Sequence, residues 1–379
     1  MLGTRTIALD VNGKVKKRQL QLHITIDKNS LGIIRQMAIA LGLLVTSLRA
    51  LADYSPGLQL DETLTHDSEV RYYDVYVPDS YDGSLAYPLV VDIHGLGSNK
   101  TAQRLTSGMR PLSELENFIV AYPQGLYGLP NAPEERNPVT GFPLEGPSFN
   151  AGGVCCGAAE ENGTDDIGFV RAMIEAINAA SHIDTTRVYV TGLSNGGFMS
   201  HRLACEAPDI FAAAVPLAAS TLQNLNMDCA QQPIPILTFQ GLTDSLVPYH
   251  GNIIYKSAHE SLEAWKQYNG CTSPTPDVIE TISDTAFCET YNSCSNSADT
   301  GLCSVTGSDA AGHFLYQNAD GIDLAEKAWH FMQQHQILSE NPINVSVPIV
   351  HVWTVCSLII FSIIFSKANN RRVKKSAKL

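Results

Sequence analysis

The sequence predicts an α/β chain built on a mostly parallel central sheet flanked by helices. Two observations carry this. Apolar runs rich in Val, Ile and Ala at 89–93, 118–122, 188–191, 211–217 and 236–239 alternate with stretches of helical character, the pattern that builds a parallel sheet covered on its faces. Residues 188–197, VYVTGLSNGG, then run such a strand straight into a serine between glycines, the local sequence of a sharp strand-to-helix turn.

The elements follow in chain order. The polar stretch 53–61 is expected to lack regular structure, and EVRYYDVYVP at 69–78 alternates as a partly exposed early strand. Residues 123–160, rich in Gly, Pro and Asn, form a long excursion where α/β sheets place ligand-contacting loops. Thr164, Asp165 and Asp166 cap a helix that reaches Ala180, with acids favourably at its N-terminus. A further helix follows the serine at 196–204. The stretch 321–335 carries Ile322, Ala325, Ala328, Trp329 and Met332 at helical spacing, a core-facing stripe. No internal repeat appears.

The serine in the glycine-flanked turn is Ser194. A nucleophilic serine needs a base, an acid that orients the base, and two N–H donors for the developing oxyanion. Asn195 supplies one donor, at the start of the following helix, and Leu96 the other, in the loop after the strand that ends in His94-Gly95. Asp244 stands just past the strand at 236–239, whereas Asp228 precedes it and reads as a surface or capping residue. Of the histidines beyond Asp244, namely His250, His259, His313, His330 and His335, only His313 sits in a short loop ahead of the last helix. His330 and His335 read as solvent-side residues of that helix. The order Ser194, Asp244, His313 is that of the α/β-hydrolase fold. His94, Tyr122, Phe149 and Phe314 are expected to face the substrate. This chemistry calls for no metal and no cofactor.

Charge divides the chain into three zones. Residues 1–52 hold 8 Lys/Arg and 2 acids, residues 366–379 hold 6 Lys/Arg and none, and the body between holds 11 basic against 36 acidic residues. So acidic a body excludes nucleic acid and anionic membrane as substrate. The uncharged stretch 37–48, followed by a small-x-small pattern ending at Ala52, reads as a secretory signal within an N-terminal extension of 52 residues. The catalytic domain is expected at 53–340, and the chain to be a monomer. Residues 345–365 carry no formal charge and precede a basic tail, 366–379, so a transmembrane helix and a cell-surface tether are expected there.

Eight of the nine cysteines fall in the exported body: Cys155, Cys156, Cys205, Cys229, Cys271, Cys288, Cys294 and Cys303; Cys356 lies in the apolar span. An even set outside the cytosol implies disulfides. The adjacent Cys155 and Cys156 are expected to bond to separate partners, and Cys288, Cys294 and Cys303 to staple a loop. Asn99, Asn162 and Asn344 open glycosylation sequons.

SFNAGGVCCG at 148–157, DDIGFV at 165–170, RVYVTGLSNGGFMSHRLACEAPDIFAAAVPLAA at 187–219 and GLTDSLVPYHG at 241–251 resemble the polyhydroxybutyrate depolymerase/feruloyl esterase-like family of secreted α/β-hydrolases, related to acetyl xylan esterases. The resemblance covers about 69–335. It implies Ser194 as nucleophile, Asp244 as acid and His313 as base, in a disulfide-bearing domain acting on small or polymer-linked esters. The chain departs from the family's frequent Trp-Pro-Gly after the histidine, having Phe314-Leu315-Tyr316, and has Phe149 where a Trp is common. The expected activity is cleavage of feruloyl or acetyl esters of plant-type polysaccharide. Short-chain polyester depolymerisation is the second reading, and a catalytically silent binding module the third.

Overall fold

The computed structural model describes residues 54–127, 146–153, 155–221, 229–230, 232–283, 286–305, 312–317 and 322–337. Ten strands form one sheet: β1 Gly57–His66, β2 Glu69–Val77, β3 Tyr87–Ile93, β4 Ile119–Pro123, β5 Ile183–Leu193, β6 Ala213–Leu217, β7 Ile236–Gly241, β8 Val278–Ser283, β9 Ala286–Tyr291 and β10 Thr300–Val305. Their order is β1-β2-β4-β3-β5-β6-β7-β10-β9-β8. The six central strands, β4 to β10 in that order, are parallel to one another. The hairpins β1–β2 and β8–β9 close the two ends antiparallel. Seven helices are described: α1 Lys100–Thr106, α2 Met109–Glu116, α3 Ala158–Glu161, α4 Asp166–Ala180, α5 Asn195–Glu206, α6 Ala258–Tyr268 and α7 Leu324–Met332. This is the α/β-hydrolase fold.

Period-two alternation distributes the central strands between two cores. Leu89, Val91 and Ile93 of β3 pack with Phe169, Val170, Met173 and Ile177 of α4 and with Phe198 and Leu203 of α5. Val90, one residue out of phase, turns to the opposite face with Val120, Tyr189, Val215 and Phe239, against Ala325, Ala328, Trp329 and Met332 of α7. Trp329 stacks on Phe118 at 4.1 Å between ring centroids. The stripe expected at 321–335 is therefore core packing. The helix ends at Met332, however, and His335 beyond it is buried rather than solvent-facing. Its ring lies 4.8 Å from Phe331, and burial lowers its pKa to about 4.

Three further expectations are corrected. The stretch 53–61 is not irregular, because β1 begins at Gly57 and turns into β2 through Asp67 and Ser68. Both turn residues have positive φ, 48° and 69°, which suits a two-residue hairpin between right-twisted strands. The stretch from Cys288 to Cys303 is more than a stapled loop: it runs from β9 into β10, with Cys288 and Cys303 bonded directly across the β9–β10 register and Cys294 bonded outside it, to Cys271. Cys155 and Cys156 bond to each other. The other six described cysteines are paired along neighbouring segments, Cys205 with Cys229, Cys271 with Cys294 and Cys288 with Cys303, which leaves these two only one another among the described residues. Closing a loop of the Cys288–Cys303 size is worth about 3 kcal/mol in the chain-entropy view.

The C-terminal membrane anchor is corrected as well. Among the described residues no helix is long and apolar enough to cross a membrane; the longest, α4, has 15 residues, where about 20 apolar ones are needed. The membrane partner and the cell-surface tether go with it. The stretch 345–365 itself lies outside the described residues, as do 1–52 with the apolar segment 37–48, the tail 366–379, Asn344 and Cys356. Asn162 is exposed, while Asn99 is half-buried and its Oδ1 accepts the Ala102 N–H at 2.9 Å to cap α1.

Candidate active site

Ser194 occupies the turn between β5 and α5 at φ 58° and ψ −119°. A side chain with positive φ costs of order 1–3 kcal/mol and persists only where its surroundings hold it. Here the Ser194 N–H donates to Leu217 O at 2.9 Å, and the Ser194 carbonyl accepts the Phe198 N–H at 2.8 Å. The glycines on either side are a steric requirement. A Cβ at Gly192 would lie 2.6 Å from the Ile93 carbonyl oxygen, and one at Gly196 only 2.1 Å from it. The strained turn read from the sequence is what the backbone adopts.

Asp244 and His313 meet because β7 and β10 are neighbours. His313 Nδ1 donates to Asp244 Oδ2 at 2.7 Å, with the pair buried. The carboxylate is held on both oxygens: Oδ1 accepts the N–H groups of Leu246 and Val247, each at 2.9 Å, and Oδ2 also accepts Gln240 Nε2 at 3.2 Å. Gln240 is fixed in turn by donating to Val247 O at 2.7 Å. The two loops approach closely through glycines. A Cβ at Gly241 would sit 2.0 Å from Gly312 O, and Gly312, at φ +68°, has Thr243 and Asp244 against its own missing side chain. Gln240, Gly241 and Gly312 were not expected from the sequence; a glycine directly before His313 was their one visible sign.

Ser194 and His313 line one cleft of about 530 Å³ together with Leu96, Leu246, Phe314 and Tyr316. Asn195 is the first residue of α5, where an N–H has no partner within its helix. Its side chain is clamped, Oδ1 accepting the Phe149 N–H at 2.8 Å and Nδ2 donating to Phe149 O at 2.9 Å. The four expected substrate-facing residues separate at this point. Phe314 is 48% exposed on the cleft, whereas His94, Tyr122 and Phe149 are wholly buried and do not line it.

Each buried member has a local cause. The Phe149 ring packs 4.9 Å from the His94 ring while its backbone holds Asn195. His94 pins the loop bearing Leu96: Nδ1–H donates to Gly95 O at 2.8 Å, and Nε2 accepts the Gly125 N–H at 3.0 Å. Accepting at Nε2 while donating from Nδ1 requires a neutral ring, and burial lowers its pKa to about 4 against the Gly95 hydrogen bond, which favours the charged form. Tyr122 lies among buried polar groups, and burial together with the Asp92 carboxylate raises its pKa well above the usual value.

Asp92, the one acid in the apolar run LVVDI, went unassigned in the sequence. It is wholly buried, its Oδ1 accepts Gln103 Nε2 at 2.6 Å, and its pKa rises to about 7, chiefly through burial and against the hydrogen bonds of Ser107 and Gln103. In the unfolded chain an aspartate loses its proton near pH 4. The folded state keeps its proton longer, so the stabilising protonated form is present below about pH 4 and lost as pH rises to about 7. Asp92→Asn is expected to gain on the wild type progressively across that window, by of order 4 kcal/mol at the upper limit, and to hold a constant advantage above it. Thermal melts from pH 4 to 8 check this; an offset independent of pH would contradict it.

The family model described as prolyl oligopeptidase family matches residues 157–236, the segment that contains Ser194. Feruloyl esterase B of Piromyces equi is 27% identical over 275 residues, covering 69% of this chain and 45% of that protein. Poly(3-hydroxyalkanoate) depolymerase C of Paucimonas lemoignei is 29% identical over 217 residues, covering 52% of this chain and 48% of that protein. The match thus spans less than half the length of either relative. Among solved structures, the acetyl xylan esterase from Aspergillus awamori is similar with a TM-score of 0.48 at 17% identity, over 73% of this chain and 99% of that one. At low identity, then, a chain with the α/β-hydrolase fold is similar to a feruloyl esterase and to a poly(3-hydroxyalkanoate) depolymerase.

Proposed function

We propose that the chain is a serine carboxylic ester hydrolase, with 53–340 as its catalytic domain, that releases feruloyl or acetyl groups from plant-type polysaccharide. One observation carries the reading: the buried Asp244–His313 hydrogen bond of 2.7 Å opens onto the cleft where Ser194 sits on its strained turn. His313, fixed by Asp244 with its proton on Nδ1, presents Nε2 as a base. It takes the Ser194 hydroxyl proton as Oγ attacks the ester carbonyl, and the N–H groups of Leu96 and Asn195 receive the oxyanion. Collapse breaks the ester C–O bond, and the alcohol leaves with the proton from His313. Water then gives its proton to His313 and attacks the acyl-enzyme, which releases the acid and restores Ser194.

The substrate class draws on the feruloyl esterase relative. A polyester reading is favoured by the depolymerase relative and by Leu246 and Phe314, apolar and exposed along the cleft. Four disulfides among the described residues suit an oxidising, extracytosolic compartment. A panel of methyl ferulate, acetylated xylan, hydroxybutyrate oligomers and a prolyl peptide tests the reading. Turnover of ferulate or acetate esters is expected. Activity on the peptide alone would overturn it in favour of the chemistry named by the matched family model.

A further inference from the structure

The cleft is apolar along Leu96, Ala102, Leu193, Leu246 and Phe314, yet Gln103 of α1 and Tyr316, three residues past His313, meet on its wall. Gln103 is only 3% exposed. Its Nε2 donates to Asp92 Oδ1 at 2.6 Å and to the Tyr316 hydroxyl at 2.8 Å. A carboxamide nitrogen carries two hydrogens, so both are spent. The amide oxygen keeps its acceptor capacity and bonds to nothing among the described residues. The Tyr316 oxygen, having accepted from Gln103, retains its own O–H as a donor. Above about pH 7, where Asp92 is ionised, its carboxylate can only accept, so it fixes which end of the amide faces it and thereby which end is left over.

An acceptor and a donor side by side in an apolar wall are the complement of a hydroxyl, which donates one hydrogen bond and accepts another. Resting on the serine esterase reading, we infer that Gln103 and Tyr316 form a subsite for a hydroxyl group of the ester substrate, with Asp92 as the positioning residue behind it. Three sources share that chemistry: a phenolic acyl group, an aliphatic hydroxyacyl group and a hydroxylated alcohol. A substrate lacking the hydroxyl leaves the amide oxygen unpaired in a desolvated site, so sites of this kind discriminate strongly.

Three matched pairs test it by kcat/KM: methyl ferulate against methyl 3,4-dimethoxycinnamate, methyl 3-hydroxybutyrate against methyl butyrate, and 2-hydroxyethyl acetate against propyl acetate. The wild type is expected to prefer the hydroxylated member of at least one pair by about 10-fold or more, and the pair concerned identifies the source. In Gln103→Leu and in Tyr316→Phe, which removes one buried oxygen without changing shape, that ratio is expected to fall by about 10-fold. Equal loss on both members of the pair in the folded variants, or a wild type that prefers none of the hydroxylated esters, would overturn the subsite. Failure of the wild type to hydrolyse any of the six esters would overturn the esterase reading instead.

Discussion

Ser194→Ala is expected to lower kcat for a short-chain aryl ester by about 10⁶-fold, leaving the roughly 10³–10⁴-fold acceleration over water that an oxyanion site and binding supply. The size follows from what the substitution removes and what it spares. Alanine deletes the only atom that forms the acyl bond. The turn itself rests on glycines whose Cβ atoms would meet the Ile93 carbonyl and on the Ser194 N–H to Leu217 O bond, none of which depends on the hydroxyl. The melting temperature should therefore stay near that of the wild type while turnover collapses. Stopped-assay kinetics on purified variant, with thermal melts alongside, check it; near-normal hydrolysis would remove Ser194 from the chemistry.

Asp244→Asn is expected to lower kcat by about 10⁴-fold. Asparagine can keep Oδ1 on the Leu246 and Val247 N–H groups, which leaves an NH₂ where Oδ2 now accepts from both His313 Nδ1 and Gln240 Nε2. That NH₂ donates to His313, so the imidazole proton moves to Nε2, the nitrogen proposed to receive the serine proton. Facing Gln240 it also sets donor against donor, which adds a loss of stability absent from Ser194→Ala. The pH profile separates this from a merely structural role. Strong base promotes activity in the variant by ionising the serine directly, so its kcat should keep rising at alkaline pH where the wild type is flat. A loss below about 10-fold would mean that Asp244 does not hold the base.

Where the sequence was legible, one simple periodicity sufficed. Strands β3 to β7 were visible because continuous Val, Ile and Ala runs buried on both faces have few other uses, β2 because its residues alternate, and Ser194 because a strand, two glycines and a helix start coincide there. The unread strands have physical excuses. In β1, GLQLDETLTH, the partly buried and exposed positions are broken by a register shift between Gln59 and Glu62, so alternation fails midway. In β10, TGLCSV, every residue is buried, but Gly301, Cys303 and Ser304 carry no apolar signature. That omission mattered, since β10 is the strand that brings His313 beside Asp244.

Residue order along the chain was enough to select Asp244 and His313, but it could not say which aromatic and histidine side chains face the cleft. His94 directly precedes the cleft-lining Gly95, yet it is wholly buried, as are Tyr122 and Phe149, and these side chains serve loops and packing. The Asp92, Gln103 and Tyr316 cluster was invisible for a different reason. Its members come from β3, α1 and the turn after His313, and only tertiary structure joins them. The Cys155–Cys156 bond likewise depended on how the other six cysteines pair.

The most direct measurement of the central claim is covalent labelling of the folded chain by a fluorophosphonate, with the modified residue located by peptide mass spectrometry. An activated serine forms a stable phosphonyl ester, whereas ordinary surface serines do not react. Stoichiometric label on the peptide containing Ser194, abolished in Ser194→Ala and strongly slowed in Asp244→Asn, is the expected result. Absence of label at Ser194 in protein shown by its melt to be folded would contradict the proposed serine hydrolase.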